Sequence, residues 1–129
     1  MKLFLTSSPG GIYRKEGERY PCALDNRNHY VELEGEAIDP NYQRFISGLG
    51  LTEIRILPHF QELSNLTLDG LDIIGDIALA DSKVYPFYAL TDGAYIYIED
   101  DKINLYGEAY YFDNGEMVNI CKEGQTLPI

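Results

Sequence analysis

Apolar and polar positions divide the chain into a mixed α/β pattern that is mostly β in its second half. The apolar run of residues 2–6 (KLFLT) predicts a strand buried on both faces, and a cluster of Ser, Pro and Gly ends it. Residues 12–36 are polar and show no strong period. Asp39 and Pro40 have the chemistry of a helix start. Apolar positions within residues 49–57 suit a second strand.

The second half contains one predicted helix followed by a series of predicted strands. Apolar residues recur at helical spacing between residues 61 and 79, which predicts a helix over about residues 64–79. Beyond this helix, apolar and polar residues alternate in short runs separated by turn residues. Asn114-Gly115 favours a hairpin turn of type I′, because both residues tolerate positive φ. The predicted strands cover residues 85–90, 94–98, 103–106, 108–112 and 117–121.

Composition and charge restrict the classes of function. The chain has 129 residues, 45% of them apolar, which suits a single domain over residues 1–129 with one core. Its formal net charge is −11, so its surface repels phosphate backbones and anionic membranes. No apolar run approaches the length of a transmembrane helix, and the first run is too short for a signal peptide. We therefore expect a cytoplasmic protein that binds neither nucleic acid nor membrane.

The two cysteines and the glycines give no sign of a cofactor. Cys22 and Cys121 are far apart and have no metal-binding spacing, so the sequence favours two thiols over a disulfide. Gly10-Gly11 lacks the pattern of a phosphate-binding loop. No group of His, Cys and acidic residues has the spacing of a metal site. The sequence therefore predicts no metal and no cofactor.

One histidine and one aspartate are candidates for catalytic chemistry. The stretch RILPHFQE places His59 directly after an apolar run and a proline, where α/β enzymes carry a general base. The same position also suits a capping or solvent-facing histidine. Asp92 follows the predicted strand over residues 85–90, where it can orient a histidine or simply form a tight turn with Gly93. The residues alone leave both interpretations open for each side chain.

A nucleophile for such a base is not evident. A serine hydrolase presents its serine on a sharp turn between strand and helix, as in the GxSxG motif, and the sequence has no such motif. Ser7 and Ser8 follow the first predicted strand and are the serines best placed for exposure. Residue types and spacing therefore offer a candidate base and a candidate acid without an identifiable attacking group.

Several segments, taken in order, resemble the peptidase E-like serine peptidases, the aspartyl dipeptidase family related to cyanophycinase. MKLFLTSSP and YPCALDNRNHYVE resemble the amino-terminal strand and loop of that family. AIDPNYQRFISGLGL, RILPHF, FYALTDGAYIYIEDDKINLYGEAYYF and DNGEMVNIC resemble its carboxy-terminal half. The resemblance implies an N-terminal strand and loop over residues 1–33 and a C-terminal half over residues 34–129.

The resemblance implies a fold and a set of site residues. The family has an α/β sandwich like that of the class I glutamine amidotransferases, here with a β-rich, hairpin-containing C-terminal half. By match, His59 stands at the position of the catalytic histidine and Asp92 at that of the acid. Asp39 stands at another acidic position near the site. In the family, these groups serve a serine on a nucleophile elbow in the hydrolysis of peptide bonds.

The central section of the family, including the glycine-flanked nucleophile serine, has no counterpart in this chain. The resemblance therefore implies a truncated relative, inactive as a peptidase on its own. Loss of several strands would leave an uncovered sheet, which predicts a homo-oligomer, a dimer or larger. The alternative function is a binding or assembly module that holds a small peptide, a small cationic ligand or a protein partner on its tyrosine-rich hairpins. A third interpretation keeps catalysis, with Ser7, Ser8 or a serine of another subunit as nucleophile.

Overall fold

The computed structural model describes residues 2–6, 50–68 and 70–129. The helical segments are α1 (Phe60–Leu63), a π-helical segment (Ile73–Ala78) and α2 (Leu79–Asp81). The first five strands are β1 (Lys2–Thr6), β2 (Ile56–Leu57), β3 (Thr67–Leu68), β4 (Leu71–Asp72) and β5 (Phe87–Leu90). The other five are β6 (Tyr95–Glu99), β7 (Lys102–Tyr106), β8 (Ala109–Asp113), β9 (Glu116–Cys121) and β10 (Thr126–Pro128). The described chain thus mixes α and β structure and is β-rich towards its end, as the apolar pattern predicts.

Most of the strands form two four-stranded sheets. The first has the order β1-β6-β7-β10 and the second the order β2-β5-β8-β9. Their strand pairs are antiparallel except for β2 and β5, which run parallel, with Ile56 opposite Tyr88 and Leu57 opposite Ala89. A separate two-stranded hairpin joins β3 to β4. The parallel pair brings the carboxyl ends of β2 and β5 to the same edge of the second sheet.

The second sheet is covered on both faces. Leu57, Phe87 and Phe112 pack in one buried cluster with α1 and the π-helical segment. Ile56 and Leu90 belong to another cluster, which also contains buried residues of β1, β6 and β7. Since neighbouring residues of a strand point to opposite faces, helical segments cover one face of this sheet and the first sheet covers the other. Phe112 and Leu90, one from each face of the second sheet, are fully buried between these layers.

Tight turns form where the sequence predicts them. Asn114 and Gly115 have φ of 50° and 82°, as a type I′ hairpin turn requires, and they connect β8 to β9. Gly93, in the turn after β5, has φ of 87°. Five predicted strands correspond to β5, β6, β7, β8 and β9: residues 85–90, 94–98, 103–106, 108–112 and 117–121. Each predicted bound lies within two residues of the observed one.

The helix predicted over residues 64–79 is wrong in its first half. The hairpin of β3 and β4 occupies this part of the chain, and Gly70 within it has φ of 80°. Leu66 is exposed, whereas Ile73, Ile74 and Ile77 belong to the π-helical segment and are buried. The apolar residues at helical spacing therefore belong to different elements, and a glycine with positive φ separates them.

Two of the predicted strands need correction, and one strand was not predicted. β1 is buried on one face only: Leu3 and Leu5 are buried, while Phe4 is 52% exposed. The strand predicted within residues 49–57 is reduced to the two residues of β2. β10 was not predicted. Its segment is short and ends in a proline, and it pairs with β7, which is not its neighbour in sequence.

Cys121 is a buried thiol, whereas Cys22 lies outside the described residues. In the described part of the chain, no helix has both the length and the apolar character needed to cross a membrane. Asp39, Ser7 and Ser8 also lie outside the described residues.

Candidate functional site

His59 lies at the carboxyl end of β2, on the turn that leads into α1. Pro58 favours extended backbone in the residue before it, which suits Leu57 as the last residue of the strand. His59 itself has φ of 57° and ψ of 38°, a left-handed conformation that is uncommon for residues other than glycine. Its carbonyl oxygen accepts hydrogen bonds from the backbone N–H groups of Glu62 and Leu63. The chain therefore reverses sharply at His59 and carries the imidazole at the sheet edge.

Phe60 and Leu63 fix α1 against the second sheet. Both side chains are buried, and the ring of Phe60 stacks on Tyr110 with 4.2 Å between centroids. Phe60 also meets Phe112 edge-on at 6.3 Å. Because His59 directly precedes Phe60, this packing limits the positions that the imidazole can take.

Asp92 lies at the corresponding point after β5. The turn that carries it closes with a hydrogen bond from Ala94 N–H to the Thr91 carbonyl oxygen. Thr91 is bonded to the segment that precedes β8, because both its N–H and its hydroxyl donate to the carbonyl oxygen of Glu108. The position of Asp92 thus depends on β5 and on the residue that precedes β8.

His59 and Asp92 form a close polar pair. The Nδ1 atom of His59 lies 2.7 Å from Oδ1 of Asp92, although the residues are 33 positions apart in sequence. A carboxylate acceptor at this distance would be matched by a neutral ring with its proton on Nδ1, and Nε2 of that tautomer is a hydrogen-bond acceptor. The side chains are 38% and 40% exposed, so the pair sits at the surface and not in the core. In that tautomer, the contact orients the imidazole as it is oriented in a histidine–acid pair of a hydrolytic site.

Gln61 joins the pair through its side chain. Its Oε1 atom accepts a hydrogen bond of 3.0 Å from the backbone N–H of Asp92. No pattern in the sequence marks this residue as part of a site. Its signal is weak, because a glutamine in the first turn of a helix is ordinary, and its contact depends on the parallel pairing of β2 with β5.

Among the described residues, His59, Glu62 and Asp92 are the group that could hold a metal ion. One potential ligand atom from each lies within 4.8 Å of the others. Two ligands of a tetrahedral metal at bond lengths near 2.1 Å lie about 3.4 Å apart. The 2.7 Å separation of His59 Nδ1 and Asp92 Oδ1 is shorter and matches a charge-assisted hydrogen bond. The geometry therefore favours a directly bonded pair over shared metal ligation through these two atoms.

The two described serines have their hydroxyl groups bonded to main-chain atoms. Ser64 donates its hydroxyl to the carbonyl oxygen of Gln61. Ser82, which is buried, donates to the Leu79 carbonyl oxygen and accepts from the N–H of Gly115. Ser82 thus ties the end of α2 to the β8–β9 turn. Both hydroxyls have structural roles in these contacts.

Of the three residues that the resemblance assigns to the site, the structure brings His59 and Asp92 together, and Asp39 lies outside the described residues. No protein-family model, curated protein or solved structure matches the chain.

Proposed function

We propose that the chain is a truncated relative of the peptidase E-like serine peptidases, in which His59 and Asp92 are the base and the orienting acid of a hydrolytic site. In this proposal, the two sheets and the helical segments are what remains of a sandwich like that of the class I glutamine amidotransferases. The chain lacks the attacking group and does not hydrolyse peptides on its own.

The observation that carries the proposal is the 2.7 Å contact between His59 Nδ1 and Asp92 Oδ1. The two side chains come from the carboxyl ends of adjacent parallel strands, where open α/β sheets bind ligands and perform chemistry. His59 holds a left-handed conformation there, and backbone of this kind is concentrated at functional sites. His59 is the N-cap residue of α1, but its side chain makes no capping hydrogen bond, so capping does not account for the contact with Asp92.

The chemistry follows from the orientation of the ring. In an intact site, Nε2 of His59 would accept the proton of the nucleophile hydroxyl as its oxygen attacks the peptide carbonyl carbon. Asp92 would hold the ring in position and stabilise the imidazolium that forms. Nε2 would then return the proton to the leaving amine. The sequence provides no glycine-flanked serine to supply the hydroxyl.

The orientation of the pair can be tested by measuring the tautomer of the His59 ring by ¹H–¹⁵N NMR. We expect Nδ1 to carry the proton in the wild-type protein. Asp92→Asn replaces an obligate acceptor with a side chain that also donates, and we expect the proton to move largely to Nε2. Asp101→Asn removes the same charge from an exposed turn and should leave the tautomer unchanged. A wild-type ring without a tautomer preference would refute the proposed role of the pair.

The inactivity can be tested with dipeptides that begin with aspartate. We expect no turnover by the purified protein. Turnover that disappears in His59→Ala would show that an attacking group is present after all. A fluorophosphonate probe then decides whether that group is a serine, and Ser7→Ala and Ser8→Ala identify which one.

A second candidate function is a binding module, favoured by an aromatic surface on the first sheet. The Phe4 ring lies 4.5 Å from Tyr97 and 6.0 Å from Tyr95, and Tyr95 stacks on Tyr106 at 4.7 Å between centroids. Such a row offers flat apolar area for a small peptide or a cationic ligand. A thermal-shift screen of peptides and amines tests this function. A hit should be lost in Phe4→Ala, and a screen without hits would count against it.

A further inference from the structure

We propose that Gln61 is a positioning residue, which holds Asp92 where its carboxylate can orient the His59 ring. This inference rests on the proposed function of the His59–Asp92 pair and assigns a role to a third side chain of the same site.

The geometry of Gln61 suits this role. The residue lies two positions after His59 on α1, and its Oε1 atom accepts the backbone N–H of Asp92 at 3.0 Å. The site is therefore bridged twice: His59 contacts the carboxylate of Asp92, and Gln61 contacts the main chain of the same residue. The second bridge fixes the backbone from which the carboxylate projects.

The main chain of Gln61 is itself restrained. Its carbonyl oxygen accepts hydrogen bonds from the Ser64 hydroxyl at 3.0 Å and from Nδ2 of Asn65 at 3.3 Å. The buried neighbours Phe60 and Leu63 hold α1 against the second sheet. The Gln61 side chain is exposed, but α1 is held against the second sheet. The Gln61 amide therefore reaches Asp92 from a backbone whose position is restrained.

The need for such a bridge follows from the exposure of the pair. Both His59 and Asp92 have access to water, which competes for their hydrogen bonds and allows the side chains to separate. A second contact that restrains the Asp92 backbone lowers the entropy lost when the carboxylate meets the ring. Gln61 therefore raises the fraction of molecules in which Asp92 and His59 are bonded.

Gln61→Ala tests the proposal, with the protonation of the His59 ring as the readout. We expect the ratio of Nδ1-protonated to Nε2-protonated ring to fall by about threefold or more, as for the loss of one hydrogen bond. We also expect faster hydrogen exchange at the Asp92 amide, which loses its acceptor. Gln61→Glu keeps an oxygen acceptor and should restore protection of that amide.

The matched control is Asn65→Ala, which removes a side-chain bond on the same turn and leaves the Gln61 Oε1 atom in place. It should leave the ring tautomer and the Asp92 amide unchanged. The proposal is refuted if Gln61→Ala leaves both readouts at wild-type values, or if Asn65→Ala changes them equally. A wild-type ring without a preferred tautomer refutes the function of the pair instead, so the two failures are distinguishable.

Discussion

The imidazole of the site is carried by a residue in an unfavourable backbone conformation. Left-handed backbone costs a residue with a Cβ atom about 1–2 kcal/mol, and His59 adopts it between β2 and α1. Asparagine tolerates this conformation better than most residues, because its short polar side chain bonds locally. The residue at position 59 therefore affects stability as well as any chemistry.

A pair of substitutions at this position separates backbone from side chain. We expect His59→Val to destabilise the fold by about 1–2 kcal/mol relative to His59→Asn, because a β-branched residue resists positive φ. Denaturant unfolding of the two variants measures the difference. Glu62→Val places the same residue in α1 and should cost only a few tenths of a kcal/mol. Equal stabilities of the two position-59 variants would contradict the left-handed conformation.

Tyr110 makes the free energy of unfolding depend on pH in the alkaline range. Its hydroxyl donates to Oε1 of Glu108 at 2.6 Å, and this hydrogen bond, together with burial and the Glu108 charge, raises the pKa of the Tyr110 phenol. Because the folded state holds this proton more tightly, the contribution is complete below the ordinary pKa near 10. It is lost as pH rises from there through the raised value.

Tyr110→Phe should therefore flatten the fall of stability between about pH 9 and 11. Urea unfolding across that range measures the slope. Burial, as the largest cause, also raises the pKa values of Tyr88 and Tyr97, so part of the slope should remain in the variant. Glu108→Gln should change the slope in the same direction, and an unchanged slope in both variants would contradict the assignment.

At the scale of elements, local turn chemistry was predictable from sequence and non-local pairing was not. Asn114-Gly115 specifies its hairpin because both residues accept positive φ, and the alternation of β6 matches one buried face. The apolar residues after residue 61 fit a helix on spacing alone, since spacing does not distinguish one long helix from a hairpin followed by a π-helical segment. The contact of His59 with Asp92 depends on the pairing of β2 with β5, which neither segment encodes locally. From residue types alone, His59 and Asp92 were each a separate candidate, and no local signal joined them.

Gly107, in the turn between β7 and β8, is a point where close packing on a neighbouring segment requires a glycine. It has φ of 89°, and an added Cβ atom would lie 3.1 Å from Cα and Cβ of Ala94. Gly107→Ala should therefore destabilise the fold by about 2 kcal/mol or more, through strained backbone and a forced shift of Ala94. Thermal or denaturant unfolding measures the loss.

Gly124 provides the matched control for this substitution. It also has positive φ, at 76°, but no atom lies within 4 Å of an added Cβ. Gly124→Ala should carry the backbone cost alone and be the milder change. If both variants lose the same stability, the close approach to Ala94 contributes nothing.

At the scale of the whole molecule, the sheet edges and exposed apolar residues indicate where copies of the chain would associate. Among the described strands, β9 ends the second sheet, and its Met117 and Val118 are 42% and 56% exposed. An exposed strand with apolar residues on both sides is a template for pairing with another chain. The net charge of −11 opposes close approach elsewhere on the surface, so a largely uncharged edge is the favoured contact.

We therefore expect a homodimer or larger oligomer, measurable by light scattering at micromolar concentration, that pairs through β9. Val118→Lys places a charge on the edge and should shift the protein towards monomer while the far-UV circular dichroism is retained. Leu51→Lys makes the same apolar-to-charged change at an exposed residue that is not part of β9, and it should leave the oligomer intact. A compact wild-type monomer would refute the association. An oligomer that survives Val118→Lys would place the contact on another surface, such as the aromatic row around Phe4.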